Sequence, residues 1–578
     1  MKLNRLSTRE IIVINLGVMI CLFLYFPIIL DSIEINFRII LLSLLGNLII
    51  IILIIVLVID VLLIVVKKLN FRLLSTLNMV LTIFLFIILM YCFLNNIFEI
   101  TYVMNFSNSA LSLIYKIVFI WAGENGSILT WMLFNSIIIY FYRIKNKNRE
   151  DLIFIRSILI SLLTSIVFLI ILFSLNTFEI NSPPIYPSGN PSLHPSLDPI
   201  LMSPFMIWHP FFTFIAYAIF LIPFTITIAE VITQNSKLMN SFEQDFYNFS
   251  VKFGWLVLTL SIGLGAYWAK IALNWGRYWG WDQVETASLV PWLLSTAFFH
   301  TIIFKKKNPN LIKINIGIIF LSIVYSTLIT RGGISPLHSF TGTTELVMWT
   351  AFLGLLLTGL SLYVIYIVLD YVMEEYRNKK LFFDYLSYLF IFGLSFICIF
   401  GLFITPLTNI LSIFTPLNEI NIDPDFFIIS TLILAVGLAV TLIFCSLWEY
   451  IEIKWISIAI ILAILVQSLI SFLMLFISGI WINPVIVIYL IAIVSSSYKF
   501  TRNFTFKKGI VYFFRMNSKT IIHSGLSFIL VGSIIPSIFS LFQDFFFITG
   551  FILFLVGIIP SILRTFFPKT KTKKNNKS

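Results

Sequence analysis

Long unbroken apolar runs constrain the fold of this chain more than any other feature. Stretches such as LLSLLGNLIIIILIIVLVIDVLLIVV exceed the ~20 residues that a helix needs to cross a bilayer. The 578 residues are 59% hydrophobic and 11% charged, a composition that no water-soluble domain of this size accommodates. In hydrocarbon, backbone groups must find partners within their own segment, which favours helices, and the runs lack the alternation of a membrane barrel. We therefore predict an all-α fold, a polytopic integral membrane helical bundle.

About sixteen segments approach the length of a membrane span. They are 10–30, 39–66, 73–95, 127–142, 154–175, 205–229, 253–273, 288–304, 313–330, 344–370, 384–404, 426–447, 455–477, 481–497, 520–540 and 544–563. A shorter run at 109–122 is predicted to lie in the membrane interface. We divide the chain into N-terminal transmembrane helices (1–72), a transmembrane core (73–540) and a final helix with a basic tail (541–578).

Basic residues predict the orientation of the spans. The net charge is +12, and most of it lies in short Lys/Arg-rich loops that alternate with loops almost free of basic residues. Such loops normally face the inside, so this charge orients helices and does not indicate a nucleic-acid partner. Both termini are then predicted inside, and the segments 96–126, 176–204, 274–287 and 331–343 face outward.

Cysteine chemistry and ion conduction are both disfavoured. The four cysteines, Cys21, Cys92, Cys398 and Cys445, lie in apolar runs with no CxxC pair. This arrangement predicts no disulfide framework, thiol relay or zinc site. Charged residues within the spans are sparse, Asp60 being one, and trace no ion pathway.

The outward segment 274–287 concentrates aromatic and charged residues separated by glycines. These residues are Trp275, Arg277, Tyr278, Trp279, Trp281, Asp282 and Glu285. Tryptophan and tyrosine also form belts at the headgroup level, but belt residues are usually scattered. Gly-spaced aromatic residues suit a flat conjugated ligand held by stacking. The spacing alone leaves both interpretations open.

Four of the five histidines form two pairs at matched depths. His209 and His338 are predicted near the outer surface, whereas His300 and His523 lie near the inner ends of their helices. A lone histidine in a span is usually a hydrogen-bonded helix contact, but two imidazoles at one level can provide the axial ligands of a haem iron. His194 has no such counterpart and is interpreted as structural.

Several motifs now resemble one known family. WGRYWGWD followed by VETASLVPWL resembles the tryptophan-rich signature of the haem-handling membrane proteins that include CcmF and CcsA. Other motifs are similar to CcmF in particular, and they follow the family's order. They are the segment 101–131 ending in WAGENGSILTW, LHPSL followed by WHPFF, TRGGISPLHSF and IIHSGLSFILVG.

The resemblance implies a haem lyase of cytochrome c biogenesis. His209 and His338 would ligate haem as a substrate over the tryptophan-rich loop, and His300 and His523 would hold a resident haem b. The implied reaction joins haem vinyl groups to the thiols of CxxCH in apocytochrome c. The implied partners are the haem chaperone CcmE, a CcmH-type thiol protein and apocytochrome c, with quinol as a possible reductant.

The charged residues near the predicted haem site have two interpretations each. Arg277 and Arg331 could pair with haem propionates, which arginine binds bidentately, or they could simply extend towards the interface. Asp282 and Glu285 are expected to brace the loop, since no proton-transfer partner is evident.

The chain departs from the family pattern at several points. Glu124 and Asn125 stand where the family has His and Glu, and only LFQD separates the last two spans where bacterial relatives carry an outer soluble domain. We also keep two alternative functions open, a haem transporter without covalent chemistry and a quinol-linked respiratory cytochrome. The abundance of Ile, Phe, Asn and Lys favours the mitochondrial inner membrane over a bacterial cytoplasmic membrane.

Overall fold

A computed structural model describes most of the chain as helix. The described residues are 26–27, 30–31, 33–66, 72–146, 149–181, 202–233, 241–273, 275–301, 309–331, 379–414, 420, 422–480, 482–502 and 510–566. Within these ranges the only β-type pairing is an isolated antiparallel bridge between Ile100 and Ile180. The predicted all-α fold is confirmed.

The helices of the described residues run as follows in chain order. They are α1 (Ile35–Val65), α2 (Arg72–Leu94), α3 (Thr101–Phe106), α4 (Leu113–Val118), α5 (Glu124–Lys145), α6 (Leu152–Ser174), α7 (Pro204–Thr233), α8 (Ser241–Ala272), α9 (Gln283–Thr301), α10 (Pro309–Arg331), α11 (Lys379–Phe414), α12 (Pro424–Leu447), α13 (Ile453–Ser478), α14 (Ile486–Arg502), α15 (Ile510–Ile534) and α16 (Ser540–Phe566). Short 3₁₀ turns precede α5 (Phe119–Trp121) and α16 (Ser537–Phe539).

Eleven helices of the described ranges are long and apolar enough to cross a membrane, and each coincides with a predicted span. The predicted spans 288–304, 481–497 and 520–540 also form helices, namely α9, α14 and α15, but these are too short or too polar to meet that standard. The span 344–370 and almost all of 10–30 lie outside the described residues. The segment 109–122 forms α4 and the first 3₁₀ turn. A polytopic membrane protein is thus confirmed.

The chain forms two compact units, the first within Met1–Lys237 and Ile316–Ile365 and the second within Leu238–Asn315 and Tyr366–Ser578. In the first unit, α5 packs against α2, α6 and α7. A fully buried ion pair also joins Arg143 of α5 to Asp60 of α1 through two hydrogen bonds. The segment boundaries predicted from the sequence (1–72, 73–540 and 541–578) differ from these units and stay a prediction.

In the second unit, close backbone contact between α15 and α16 positions the turn that joins them. A Cβ atom at Gly525 would lie 2.7 Å from the backbone nitrogen of Phe554, and one at Gly550 would lie 2.6 Å from that of Ile529. Small residues at such positions let transmembrane helices approach closely. Around this pair, α9 packs on α11, and α14 packs on α12 and α15.

Candidate functional site

The tryptophan loop, which we define as residues 275–282, holds its rings in fixed relative orientations. The Trp279 and Trp281 rings are perpendicular, with centroids 6.1 Å apart. Trp281 lies parallel to Phe427 of α12, at 5.8 Å and an interplanar angle of 4°. Trp281 also has a left-handed backbone (φ 57°), which a bulky residue rarely adopts. The loop is therefore a constrained structure and not a simple row of interfacial anchors.

Tyr278 anchors the tryptophan loop to the start of α16. Its ring is fully buried and stacks on Phe547 at 3.7 Å and 3°. Its hydroxyl donates a 2.5 Å hydrogen bond to the Asp544 carboxylate, which also forms an ion pair with Lys270. The Lys270 ammonium lies 4.5 Å from the centre of the Tyr278 ring. Burial, with the Asp544 carboxylate, raises the pKa of Tyr278, so the phenol remains the donor.

Two carboxylates brace the loop from the start of α9, before the predicted span 288–304. Asp282 accepts the Val284 N–H at 2.9 Å, as helix-capping residues do, and Glu285 accepts the Gly280 N–H at 3.0 Å. Burial raises the pKa of Glu285 to about 8. Both contacts agree with the bracing role expected from the sequence.

A cavity of about 430 Å³ lies beside the loop. It is lined by Trp275, Gly276 and Arg277, by residues 533–537 at the end of α15, and by Gln543. Gly276 has a positive φ of 64°, and its position close to Ser537 leaves little room for a side chain. The cavity therefore offers an aromatic wall and the exposed cation of Arg277 to a ligand.

The predicted inner histidines come together in the second unit. His300 lies in the last turn of α9 and interacts electrostatically with His523 of α15. The Nδ1 atom of His300 is 3.9 Å from the Asp384 carboxylate of α11. A carboxylate on one ring nitrogen orients an imidazole and leaves Nε2 for a metal.

Aromatic residues pack in the same region as these histidines. Trp255 of α8, 2% exposed, stacks on Trp292 of α9 at 6.1 Å and contacts Phe554 of α16. Each indole N–H donates to a threonine hydroxyl at 2.8 Å, so both rings have fixed orientations. Phe299 and Ile522, the neighbours of the two histidines in sequence, pack against this cluster. The histidines thus lie beside an apolar aromatic cluster and have Asp384 as a charged neighbour.

The predicted outer site is only partly described. His209 lies near the start of α7, and the adjacent Phe211 contacts Trp121 with ring centroids 5.7 Å apart. His338 and His194 lie outside the described residues. His209 belongs to the first unit, whereas the tryptophan loop belongs to the second.

Arg331 ends α10 in the first unit and is 4% exposed. It donates a 2.6 Å hydrogen bond to the Ser127 hydroxyl and interacts electrostatically with Glu124. Glu124 occupies the stretch where the sequence departs from the family pattern. The buried guanidinium therefore has a carboxyl group as a neighbour that this departure supplies.

Three residues of the candidate sites were missed by the sequence analysis. Asp384 faces His300, and Asp544 with Phe547 holds Tyr278. Asp544 is an isolated charge between two apolar runs, a signal that marks a position where a partner is required, whereas Asp384 follows Lys380 closely and carries no such signal.

Known proteins resemble this chain in sequence and in fold. Residues 121–333 match the family model "Cytochrome C assembly protein". The chain is 30% identical to the cytochrome c-type biogenesis protein CcmF of Escherichia coli K12 over 260 residues, 44% of this chain and 39% of that protein. It is 28% identical to ccl1 of Rhodobacter capsulatus over 286 residues, 48% of this chain and 42% of that protein.

The fold also matches a solved structure titled cytochrome c heme lyase CcmF. The TM-score is 0.63, with 19% identity, over 85% of this chain and 76% of that one. The sequence matches span about half or less of the length of the curated relatives.

Proposed function

We propose that this chain, whose residues 121–333 match the cytochrome c assembly family, is a CcmF-type member of that family and the haem lyase subunit of a cytochrome c biogenesis system. It binds haem as a substrate on the tryptophan loop and promotes thioether attachment to the CxxCH thiols of apocytochrome c. The observation that carries this proposal is the constrained geometry of the loop, in which Tyr278 is anchored and Trp281 is held against Phe427.

The substrate site combines aromatic faces with a cation. Trp275, Tyr278, Trp279 and Trp281 provide the aromatic surface, and Asp282 fixes the loop at α9. Arg277 lines the adjacent cavity and is exposed, so it can pair with a haem propionate.

The proposed substrate site also needs axial ligands for the iron of the substrate haem. They are His209 and His338, as the family resemblance implies, and Arg331 is assigned to a second propionate. These roles are proposals for the intact protein.

Thioether formation is an addition reaction, and it depends more on the positioning of the reacting groups than on acid–base catalysis. A cysteine S–H adds across a vinyl C=C bond, so that sulfur bonds the carbon next to the ring and the proton goes to the terminal carbon. No atom or electron is left over. A fixed aromatic surface and two axial ligands would hold the vinyl groups in place, and proximity alone can supply several kcal/mol of catalysis, on the order of 7–11 in favourable cases.

The resident haem b is assigned to His300 and His523. Two features support the fit: Asp384 faces the Nδ1 atom of His300, and the Trp255 cluster packs against the two helices that carry the histidines. A haem held here supplies one-electron chemistry. We assign quinol as the electron donor, since the site lies within the helical bundle.

The partners follow the family resemblance, and the compartment follows the composition of the chain. We propose that CcmE delivers haem, that a CcmH-type protein presents the reduced apocytochrome c, and that the membrane is the mitochondrial inner membrane. The relatives described above are bacterial, so the mitochondrial placement depends on the composition of the chain.

His209→Ala tests the lyase proposal. In a cytochrome c maturation assay, this variant should form no thioether product, because an axial ligand of the substrate haem is lost, and its resident-haem spectrum should be unchanged. The control is His194→Ala, which should mature cytochrome c normally. Thioether product at the wild-type rate from His209→Ala contradicts the assignment. Haem movement across vesicles without thioether product in the wild type favours a transporter instead.

A second experiment tests the need for a partner. Residues 535–539 alone join α15 to α16, a connection too short to fold as a domain, and the sequence LFQD that was predicted to separate the last two spans lies inside α16. The chain alone should therefore bind haem but form little thioether product with haem-loaded CcmE and a CxxCH apoprotein under reducing conditions. Robust product from the chain alone refutes the prediction.

A further inference from the structure

Glu285 accepts a hydrogen bond from the backbone at the centre of the tryptophan loop. Its Oε2 atom accepts the N–H of Gly280, the residue between Trp279 and Trp281. The Gly280 backbone lies directly against another ring of the loop, because a Cβ atom there would be 2.4 Å from the Trp275 ring. One hydrogen bond thus restrains the backbone on which three tryptophans depend.

The loop needs such a restraint. Trp281 has a left-handed backbone, and a bulky residue keeps that conformation only where its surroundings impose it. The stack on Phe427 holds the Trp281 ring from one side. The hydrogen bond to the Gly280 N–H holds the peptide between Trp279 and Gly280, which directly precedes the peptide that links Gly280 to Trp281. We propose that Glu285 is a positioning residue of the tryptophan loop, which sets the orientation of Trp279 and Trp281 for haem; the haem part of this role rests on the proposed function.

The surroundings of the second carboxyl oxygen, Oε1, indicate whether Glu285 is neutral or charged. Glu285 Oε1 is buried without a hydrogen-bond partner, and no ion pair involves Glu285 in the part of the chain that the structure describes. A buried, unpaired carboxylate is costly, so the neutral acid is favoured. Two charged groups act on Glu285. Asp282 disfavours a second negative charge and so raises the pKa of Glu285, whereas the exposed Arg277 lowers that pKa weakly.

The same reasoning gives a pH dependence with a definite sign. Burial raises the pKa of Glu285 in the folded loop to about 8, above the ordinary value of 4.5. Ordering the loop therefore becomes less favourable as the pH rises from about 4.5, and the loss levels off above about 8. Glutamine at this position would accept the same N–H and carry no charge at any pH.

The experiment compares Glu285→Ala and Glu285→Gln in the purified full chain. The matched control is Glu452→Gln, which removes an exposed carboxylate at the start of α13 that makes no capping hydrogen bond. Hydrogen exchange of peptides covering 275–285 is measured without haem, and haem is then titrated between pH 6.5 and 9.5. The exchange measurement requires no ligand, so it tests the positioning role alone.

Glu285→Ala should exchange faster in this segment and bind haem about tenfold more weakly, as expected for loss of one buried hydrogen bond. Glu285→Gln should stay within about twofold of wild type at pH 7. It should keep its affinity at pH 9, where the wild type weakens.

Unchanged exchange in Glu285→Ala, or equal damage in Glu285→Gln, overturns the positioning role. Faster exchange in Glu285→Ala with no haem binding by any variant supports that role and contradicts the proposed haem function.

Discussion

Replacing Tyr278 with phenylalanine tests how the tryptophan loop is held. The substitution removes the hydroxyl that donates to Asp544 at 2.5 Å and keeps the ring that stacks on Phe547 at 3.7 Å. Lys270 would remain paired with Asp544. Tyr278→Ala removes the hydroxyl and the buried ring together. The two variants therefore separate the polar anchor from the stacking contact.

The structure gives a magnitude for each variant. A hydrogen bond to a charged group contributes about 1.5–3 kcal/mol. The Asp544 side chain is 41% exposed, so water can replace the lost donor, and we expect about 1 kcal/mol for Tyr278→Phe. Tyr278 itself is 0% exposed, and loss of a fully buried aromatic ring costs about 3–5 kcal/mol. In haem affinity, Tyr278→Phe then corresponds to a loss of about fivefold.

The assay is haem titration of the purified chain, together with thermal unfolding in detergent. Tyr450→Phe is the control, because Tyr450 is an exposed tyrosine of the same unit, 38% accessible. The expected order of haem affinity is wild type and Tyr450→Phe, then Tyr278→Phe, then Tyr278→Ala. If Tyr278→Phe is as damaging as Tyr278→Ala, the ring stack does not hold the loop and the reasoning is refuted.

Two further predictions concern acidic residues inside the helices. Asp60→Asn leaves Arg143 buried without its anion, which should destabilise the protein by about 3–5 kcal/mol, whereas Asp60→Leu with Arg143→Met should restore most of this loss. Equal thermal destabilisation of both variants would contradict the ion-pair account. Asp384→Asn removes an anion 3.9 Å from His300 Nδ1 and should raise the midpoint potential of the resident haem, measured by redox titration, because that anion favours ferric iron. An unshifted potential would show that Asp384 does not act on the haem ligand.

The helices could be predicted because their formation depends on local composition. The predicted span 384–404, for example, lies inside α11, which continues to Phe414 through Pro406. The apolar run predicts the part of the helix that spans the lipid. The exact ends of the helix depend on local capping and loop geometry. Within the described residues the spans were thus located correctly, whereas their limits were not.

Long-range partners could not be predicted from the sequence. Tyr278 and Asp544 are 266 residues apart, and no periodicity relates them. The bracing role of Asp282 and Glu285 was expected, because those contacts are local. The matched depth of His300 and His523 was predicted from helix rise, but Asp384 becomes a neighbour of His300 only when α9 packs against α11.

The most direct test of this account is the reduced-minus-oxidised absorption spectrum of the purified chain, recorded beside His300→Ala, His523→Ala and His209→Ala. The wild type should show the α-band of a low-spin haem b that acid acetone extracts. Both inner variants should lose the band and the haem, and His209→Ala should keep them. An unchanged α-band and haem content in both His300→Ala and His523→Ala would contradict the account.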